Sequence, residues 1–251
     1  GLQRKYRPNE DCLFVMHGTM PSPAPALLPT PFVLLVVADG MGGQGHGRTA
    51  SRLAVQSLVT YMSRSLSTQQ SAPESLLALL SAGVQHANRV VYERNQQQQT
   101  VMGTTMTAVL LSETTASVAH VGDSRLYRYR APTGLAQITR DHSVVAALVG
   151  AGIIEPDEIS THPRGNQLYR SLGEKATVEV ETATLPLAAD DILLVCSDGL
   201  WEMVHDQQIA AILTTPMPAP RDTAHALIQA ALAGGGADNV SAIVAEVSQV
   251  L

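Results

Sequence analysis

Of the 16 basic residues in this 251-residue chain only two are lysines, Lys5 and Lys175, and the formal net charge is -6. The arginines are spread along the sequence, so the clustered basic footprint of a nucleic-acid surface is missing and no nucleic acid is expected as a partner. Apolar runs are short as well. None approaches the ~20 residues that cross a bilayer, which predicts a soluble chain with no membrane span. Cysteine is scarce: Cys12 and Cys196 make no disulfide framework, and a reducing cytoplasm fits best. Nor do they suit a cysteine-dependent phosphatase, which needs Cys-x5-Arg, because Gly18 and Glu202 stand where that arginine would be. Both are expected to be buried structural thiols. There is no initiator Met and no charged-then-apolar leader, so the start at Gly1 reads as a processed end or a domain cut from a larger protein. No low-complexity linker divides the chain, and residues 1–251 are expected to form a single, monomeric domain.

A further absence decides how the glycines are read. Val33 to Ser51, VLLVVADGMGGQGHGRTAS, runs an apolar strand into a loop in which Gly40, Gly42 and Gly45 spell G-x-G-x-x-G. A dinucleotide-binding turn requires an acid about 20 residues on, at the end of a second strand. From Gly40 to Pro73 there is no Asp or Glu, and helical patterning follows the loop in place of a strand. A Walker A loop fails more simply, since no lysine follows the glycines. The loop therefore reads as a device for presenting Asp39.

Strand-like runs occur at about Cys12 to Met16, Phe32 to Ala38, Thr105 to Leu111, Ala116 to Val121, Arg125 to Tyr129, Thr177 to Thr184, Ile192 to Cys196 and Val240 to Val247. Helical periodicity marks Ala50 to Tyr61 and Leu76 to Val91, with further helices expected near Val144 to Ala151 and Thr223 to Leu232. Pro73 and Glu74 suit the first turn of the second helix, and Gln96 to Gln99 reads as a polar loop. The prolines of Ser22 to Pro31 suggest a stiff surface loop. Two helices come together and strands then follow one another across short turns, so the class expected is α+β with largely antiparallel sheets. Asp157 to Gly173 has little periodicity and reads as an irregular excursion, possible cover for a site.

Three more aspartates share the setting of Asp39. Asp198 ends an apolar strand in LLVCSDGLW, Asp123 does so in VAHVGDSRLY, and Asp238 precedes the last strand in GGGADNVSAIV. One Asp-Gly at a strand end is an ordinary turn. Four carboxylates gathered near a core are costly unless something positive compensates them, and no lysine is near any of them in sequence. Hard divalent cations such as Mg²⁺ or Mn²⁺, which take oxygen ligands, would supply that charge.

The ordered set Asn9-Glu10-Asp11, Ala38-Asp39-Gly40-Met41-Gly42-Gly43, Gly103-Thr104-Thr105, Val121-Gly122-Asp123-Ser124-Arg125, Asp141-His142-Ser143, Ser197-Asp198-Gly199-Leu200 and Asp238-Asn239-Val240 covers nearly the whole chain. It resembles the metal-dependent serine/threonine protein phosphatases, the type 2C family, in their bacterial form. The resemblance implies a four-layer α-β-β-α sandwich, two antiparallel sheets flanked by helix pairs, with a two-metal site between the sheets. Asp39 would bridge two ions, the Gly40 carbonyl would lie on one and Asp198 and Asp238 on the other, and Glu10 would hold a metal-bound water. Asp123 with Asp198 would bind a third ion. Residues 144–173 would form the flap beside the catalytic groove. The implied reaction is attack of a water bridging two divalent ions on phosphoserine or phosphothreonine. The implied partners are phosphorylated proteins, a Ser/Thr kinase and its substrates.

Two departures limit the transfer. Tyr6 stands where the family has a phosphate-binding arginine, which leaves Arg7 and Arg4 as candidates, and Met41 stands where animal members carry a histidine. His46 is then the candidate proton donor in that loop, and His142 is expected to help cap the helix after Ser143. The alternative to an active phosphatase is a catalytically weak phosphoprotein-binding regulatory module of the same fold. A small-molecule phosphatase is a third reading, since loops such as the flap, and not the metal site, select the substrate.

Overall fold

The computed structural model describes residues 2–3, 8–21, 29–67, 75–155, 158, 162–165 and 167–248. Its first long element pair is a hairpin of β1 (Cys12–Met20) and β2 (Thr30–Ala38), continued by β5 (Met106–Ser112), β6 (Thr115–Val121) and β9 (Glu181–Pro186) into an antiparallel sheet of order β1-β2-β5-β6-β9. The second antiparallel sheet has the order β11-β10-β7-β8, from β7 (Arg125–Arg130), β8 (Gly134–Gln137), β10 (Ile192–Cys196) and β11 (Ala242–Glu246). A two-residue ladder joins β3 (Gly40–Met41) to β4 (Gly103–Thr104).

Side-chain alternation along the strands builds the layers. In β2, Leu34, Val36 and Ala38 face the long helices α1 (His46–Ser67) and α2 (Leu76–Gln98), while Leu35 and Val37 face the other sheet. Burial on both faces is why the strand reads as an unbroken apolar run. In β10, Leu193 and Val195 meet the first sheet, and Leu194 and Cys196 meet α4 (Asp198–Trp201), α5 (Asp206–Thr214) and α6 (Pro220–Ala233). The α+β class and the α-β-β-α sandwich expected from the sequence are both present.

Several boundaries differ from expectation. Gln96 to Gln98 continue α2, because glutamine propagates a helix well and the buried Asn95 side chain on its last turn accepts from Met102 N at 3.0 Å and donates to Met102 O at 2.7 Å. Ser75 caps α2 by accepting from Ala78 N, while Pro73 and Glu74 lie outside the described residues. Residues before Glu181 are not in the sheet; Val178 and Val180 instead pack on the α1–α2 core, and the Val178 carbonyl accepts from Gln85. Cys196 is fully buried as expected, but Cys12 is only half-buried, on an edge strand with one neighbour. Of the proline-rich connection, Thr30 and Pro31 belong to β2 and residues 22–28 lie outside the described residues. After α3 (Val144–Gly150) the chain returns through two single bridges, Ser143 to Leu168 and Thr104 to Leu172.

The inter-sheet core gives a direct test. Leu193 is fully buried between the sheets, so Leu193→Ala is expected to lower unfolding free energy by about 2–5 kcal/mol in urea melts. Leu13, 49 % exposed on β1, is expected to lose no more than about 0.5 kcal/mol as Leu13→Ala.

Candidate metal centre

Strand register brings the acids together. Cys12 pairs with Ala38 and Met106 with Val121 in the first sheet; Cys196 pairs with Ala242 and Arg125 in the second. The starts of β1, β5, β7 and β11 thus share one end of the sandwich with the finishes of β2, β6 and β10. At that end a cleft of about 200 Å³ is lined by Glu10, Asp39, Gly40, Met41, Gly42, Thr105, Asp123, Leu168, Asp198 and Asp238. The predicted Asp39, Gly40, Asp123, Asp198, Asp238 and Glu10 therefore meet in one place. His46, at the start of α1, is not among the lining residues, and Arg4 and Arg7 lie outside the described residues.

The main chain at Asp39 is fixed from several sides. Its N–H donates to Thr105 Oγ1 at 2.9 Å, and its carbonyl accepts from Thr105 N and Thr104 Oγ1, both at 2.8 Å. Gly40 N donates to the Glu10 carbonyl at 3.2 Å, and a Cβ at Gly40 would collide with the Gly47 carbonyl and stand 2.7 Å from Glu10 O. The glycine is needed for close approach of three backbones. Thr105 Oγ1 also meets Ser124 Oγ at 2.7 Å, so the Asp39 and Asp123 loops share one hydroxyl contact.

Sequence reasoning missed the residues that join the two sheets here. Ser197 Oγ accepts from Ser241 N at 3.0 Å and donates to Asp11 Oδ2 at 2.9 Å. Asn239 Oδ1 accepts from Glu10 N at 2.9 Å. Asp11 and Asn239 were visible as members of sequence motifs, but their partners lie more than 180 residues away. His142 does not cap α3; Ser143 does, accepting from Ala146 N. The ring of His142 instead accepts from Gly122 N through Nδ1 at 3.0 Å, next to Asp123. Its pKa is lowered to about 4 by burial and the nearby Arg170 and Arg140, and that of His120, whose ring lies tilted beside it, to about 3 by burial and the His142 charge.

The cleft is electrostatically loaded. Burial, then the charge of Asp198, pushes the Asp39 carboxyl well above the usual range; burial, then the charge of Asp123, does the same to Asp198. Burial, then Asp141 and Glu202, raises Asp123 to about 7. Asp11 and Glu202 are raised chiefly by burial. Arg125, the cation bearing on Asp123, is engaged by Asp141 through Nε at 3.0 Å and Nη2 at 2.7 Å. Asp198 Oδ1 and Asp11 Oδ1 are buried without a hydrogen-bond partner. Among the described residues no three His, Cys, Asp or Glu side chains are drawn into a closed ligand set; the donors line an open wall. An all-oxygen wall with excess negative charge and orphaned carboxylate oxygens fits hard divalent cations. The Cys196 thiol, raised to about 12 by burial, is no nucleophile at neutral pH.

Comparison with known proteins agrees with this geometry. The profile described as Protein phosphatase 2C matches residues 30–234. The chain is 35% identical over 215 residues to the serine/threonine phosphatase stp of Listeria welshimeri, covering 85% of this chain and 84% of that one. The crystal structure of serine/threonine phosphatase Stp1 from Staphylococcus aureus superposes with a TM-score of 0.85 at 30% identity, over 99% of this chain and 92% of that chain. The catalytic domain of serine/threonine protein phosphatase PstP, solved in complex with two manganese ions, does so with a TM-score of 0.78 at 34% identity, over 97% and 93% of the two chains. This chain belongs to the protein phosphatase 2C family. It is a metal-dependent hydrolase of phosphoserine and phosphothreonine in proteins.

The raised carboxyls make metal binding pH-dependent. Folded-state values above the ordinary ~4 for Asp mean that these groups favour the fold when protonated and oppose it as pH climbs through their folded values, about 7 for Asp123. Cations must displace those protons. The rise in Tm caused by Mn²⁺, measured against chelator at each pH, is expected to grow from pH 5 to pH 8; a constant rise would contradict the protonation shifts.

Proposed function

We propose that Asp39 bridges two divalent ions, with the Gly40 carbonyl on one, Asp198 and Asp238 on the other, and Glu10 acting through an intervening water. Asp123 and Asp198 together hold a third. The observation that carries this reading is the meeting of five carboxylates in one cleft with the Asp198 Oδ1 atom unpartnered. When bound, the ions activate water for in-line attack on phosphorus and offset the charge of the phosphate.

The chain's own residues do the rest. The hydrogen bonds from Thr104 and Thr105 hold Asp39 against the repulsion of Asp198, so the site is preorganised and does not need to rearrange as charge develops. The new bond runs from water oxygen to phosphorus, and the bond to the serine or threonine oxygen breaks; that oxygen leaves as the alcohol and needs a proton, for which His46 is the candidate donor. Arg7 or Arg4 is the candidate phosphate anchor. Residues 144–173 serve as a flap on one catalytic unit, and Leu168, in the cleft wall, is the flap's contribution to the groove. The partners on this reading are phosphorylated proteins, a Ser/Thr kinase and its targets, in the cytoplasm, acted on by a monomer. A binding module has no use for five mutually repelling carboxylates, so the regulatory alternative gains nothing from the site.

Hydrolysis of a chromogenic phosphate ester and of a phosphothreonine peptide, with and without Mn²⁺, tests the assignment. Activity is expected to vanish in excess chelator. Asp39→Asn is expected to reduce it to the chelator background while the fold is kept, and Asp123→Asn to lower turnover without abolishing it. Near-normal turnover by Asp39→Asn would sink the bridging role.

A further inference from the structure

The chain has one tryptophan, Trp201, and the reaction as described leaves it without a task. It is the last residue of α4, the helix that begins at Asp198. Its indole Nε1–H donates to the main-chain oxygen of Asp123 at 3.0 Å, across 78 positions of sequence. The Arg125 guanidinium lies 3.6 Å from the ring centroid, the geometry of a cation held on an aromatic face. That guanidinium is itself fixed, by Asp141 on two nitrogens and by the Tyr127 hydroxyl at 2.7 Å on the third.

The segment that Trp201 touches is held by side chains and loops rather than by a strand ladder. Residues 122–124 lie between β6 and β7 and form no ladder, and Gly122 has φ +111°. Their polar groups are satisfied from outside: His142 takes and gives a hydrogen bond at Gly122, Thr107 Oγ1 donates to Ser124 O at 2.7 Å, Thr105 Oγ1 meets Ser124 Oγ at 2.7 Å, and Trp201 donates to Asp123 O. Of these supports, only Trp201 comes from the element that also carries Asp198. The others tie residues 122–124 to the first sheet and to the residues after β8, and none of them reaches the helix that starts at Asp198.

We propose that Trp201 is a positioning residue: by tying the main chain of Asp123 to the helix that starts at Asp198, it sets the spacing of these two carboxylates and with it their affinity for the divalent ion they share. This rests on the reading that Asp123 and Asp198 do share an ion. Outer supports of this kind weaken metal affinity when removed, even though they never touch the metal. Trp201→Phe keeps an aromatic face under Arg125 while removing the N–H donor together with the second ring of the indole.

The experiment is calorimetric titration of metal-stripped protein with Mn²⁺, for the wild type, Trp201→Phe, Asp123→Asn and the double variant, with melting of each metal-free form. Trp201→Phe is expected to weaken, by about threefold to tenfold, the value of one hydrogen bond, the same binding event that Asp123→Asn removes. It is expected to have no further effect in the Asp123→Asn background, as coupled residues require. If Trp201→Phe binds Mn²⁺ as the wild type does while Asp123→Asn loses an event, the tryptophan's role is overturned and the shared ion stands. If Asp123→Asn binds as the wild type does, both fall. Equal weakening by Trp201→Phe in either background also overturns the proposal, since it marks a general loss of structure. A second arm needs no change at Trp201. Indole emission is expected to change on titration with Mg²⁺ in the wild type and not in Asp123→Asn, and an emission change that survives Asp123→Asn overturns the link even if Trp201→Phe does not fold.

Discussion

Mutual repulsion among carboxylates, concentrated at one end of an otherwise apolar sandwich, is the constraint around which the rest of this structure is arranged. Asp39, Asp123 and Asp198 are all held above their ordinary pKa range, first by burial and then by the charge of neighbouring carboxylates. Left to themselves, flexible loops would swing such groups apart into water. Here the loops are short, begin where strands end, and have their amides and carbonyls tied by hydroxyl and amide side chains such as Thr104, Thr105, Ser197 and Asn239. The apolar layers provide the stability against which that local strain is held.

The two sheets divide the work. Asp39 and Asp123 leave the first sheet, at the ends of β2 and β6, and Asp198 leaves the second at the end of β10. Specific cross-links span the division beside the cleft: Ser197 to Asp11, Asn239 to Glu10, and Trp201 to Asp123. Each uses a side-chain donor or acceptor on a backbone or carboxylate, so each fixes a distance and a direction together. A site assembled this way is as rigid as the packing between its sheets.

Much of this was legible in the sequence because it is local. An apolar run followed by Asp-Gly can be read from nine residues: two such runs point to Asp39 and Asp198, and acids at the edge of two further apolar runs point to Asp123 and Asp238, before any pairing is known. The layered class followed from the order of strands and helices. What stayed hidden depends on the fold closing. The helices α4 and α5 are too short to leave a clear periodic signature, α2 outruns its apolar stripe on glutamines, and the role of His142 at Gly122 cannot be inferred from a neighbourhood that points to a helix cap. Cys12 looked as buried as Cys196 because sequence does not say which strand lies at an edge.

The opposite end of the sandwich holds none of the cleft. There β1 turns into β2 where Met20 pairs with Thr30, β5 into β6 where Ser112 pairs with Thr115, and β7 into β8 where Arg130 pairs with Gly134; β9 passes to β10 through residues 187–191. The two poles therefore carry different constraints: a change in loop length at the cleft pole alters a carboxylate's reach, whereas the turns at the other pole contribute no residue to the cleft.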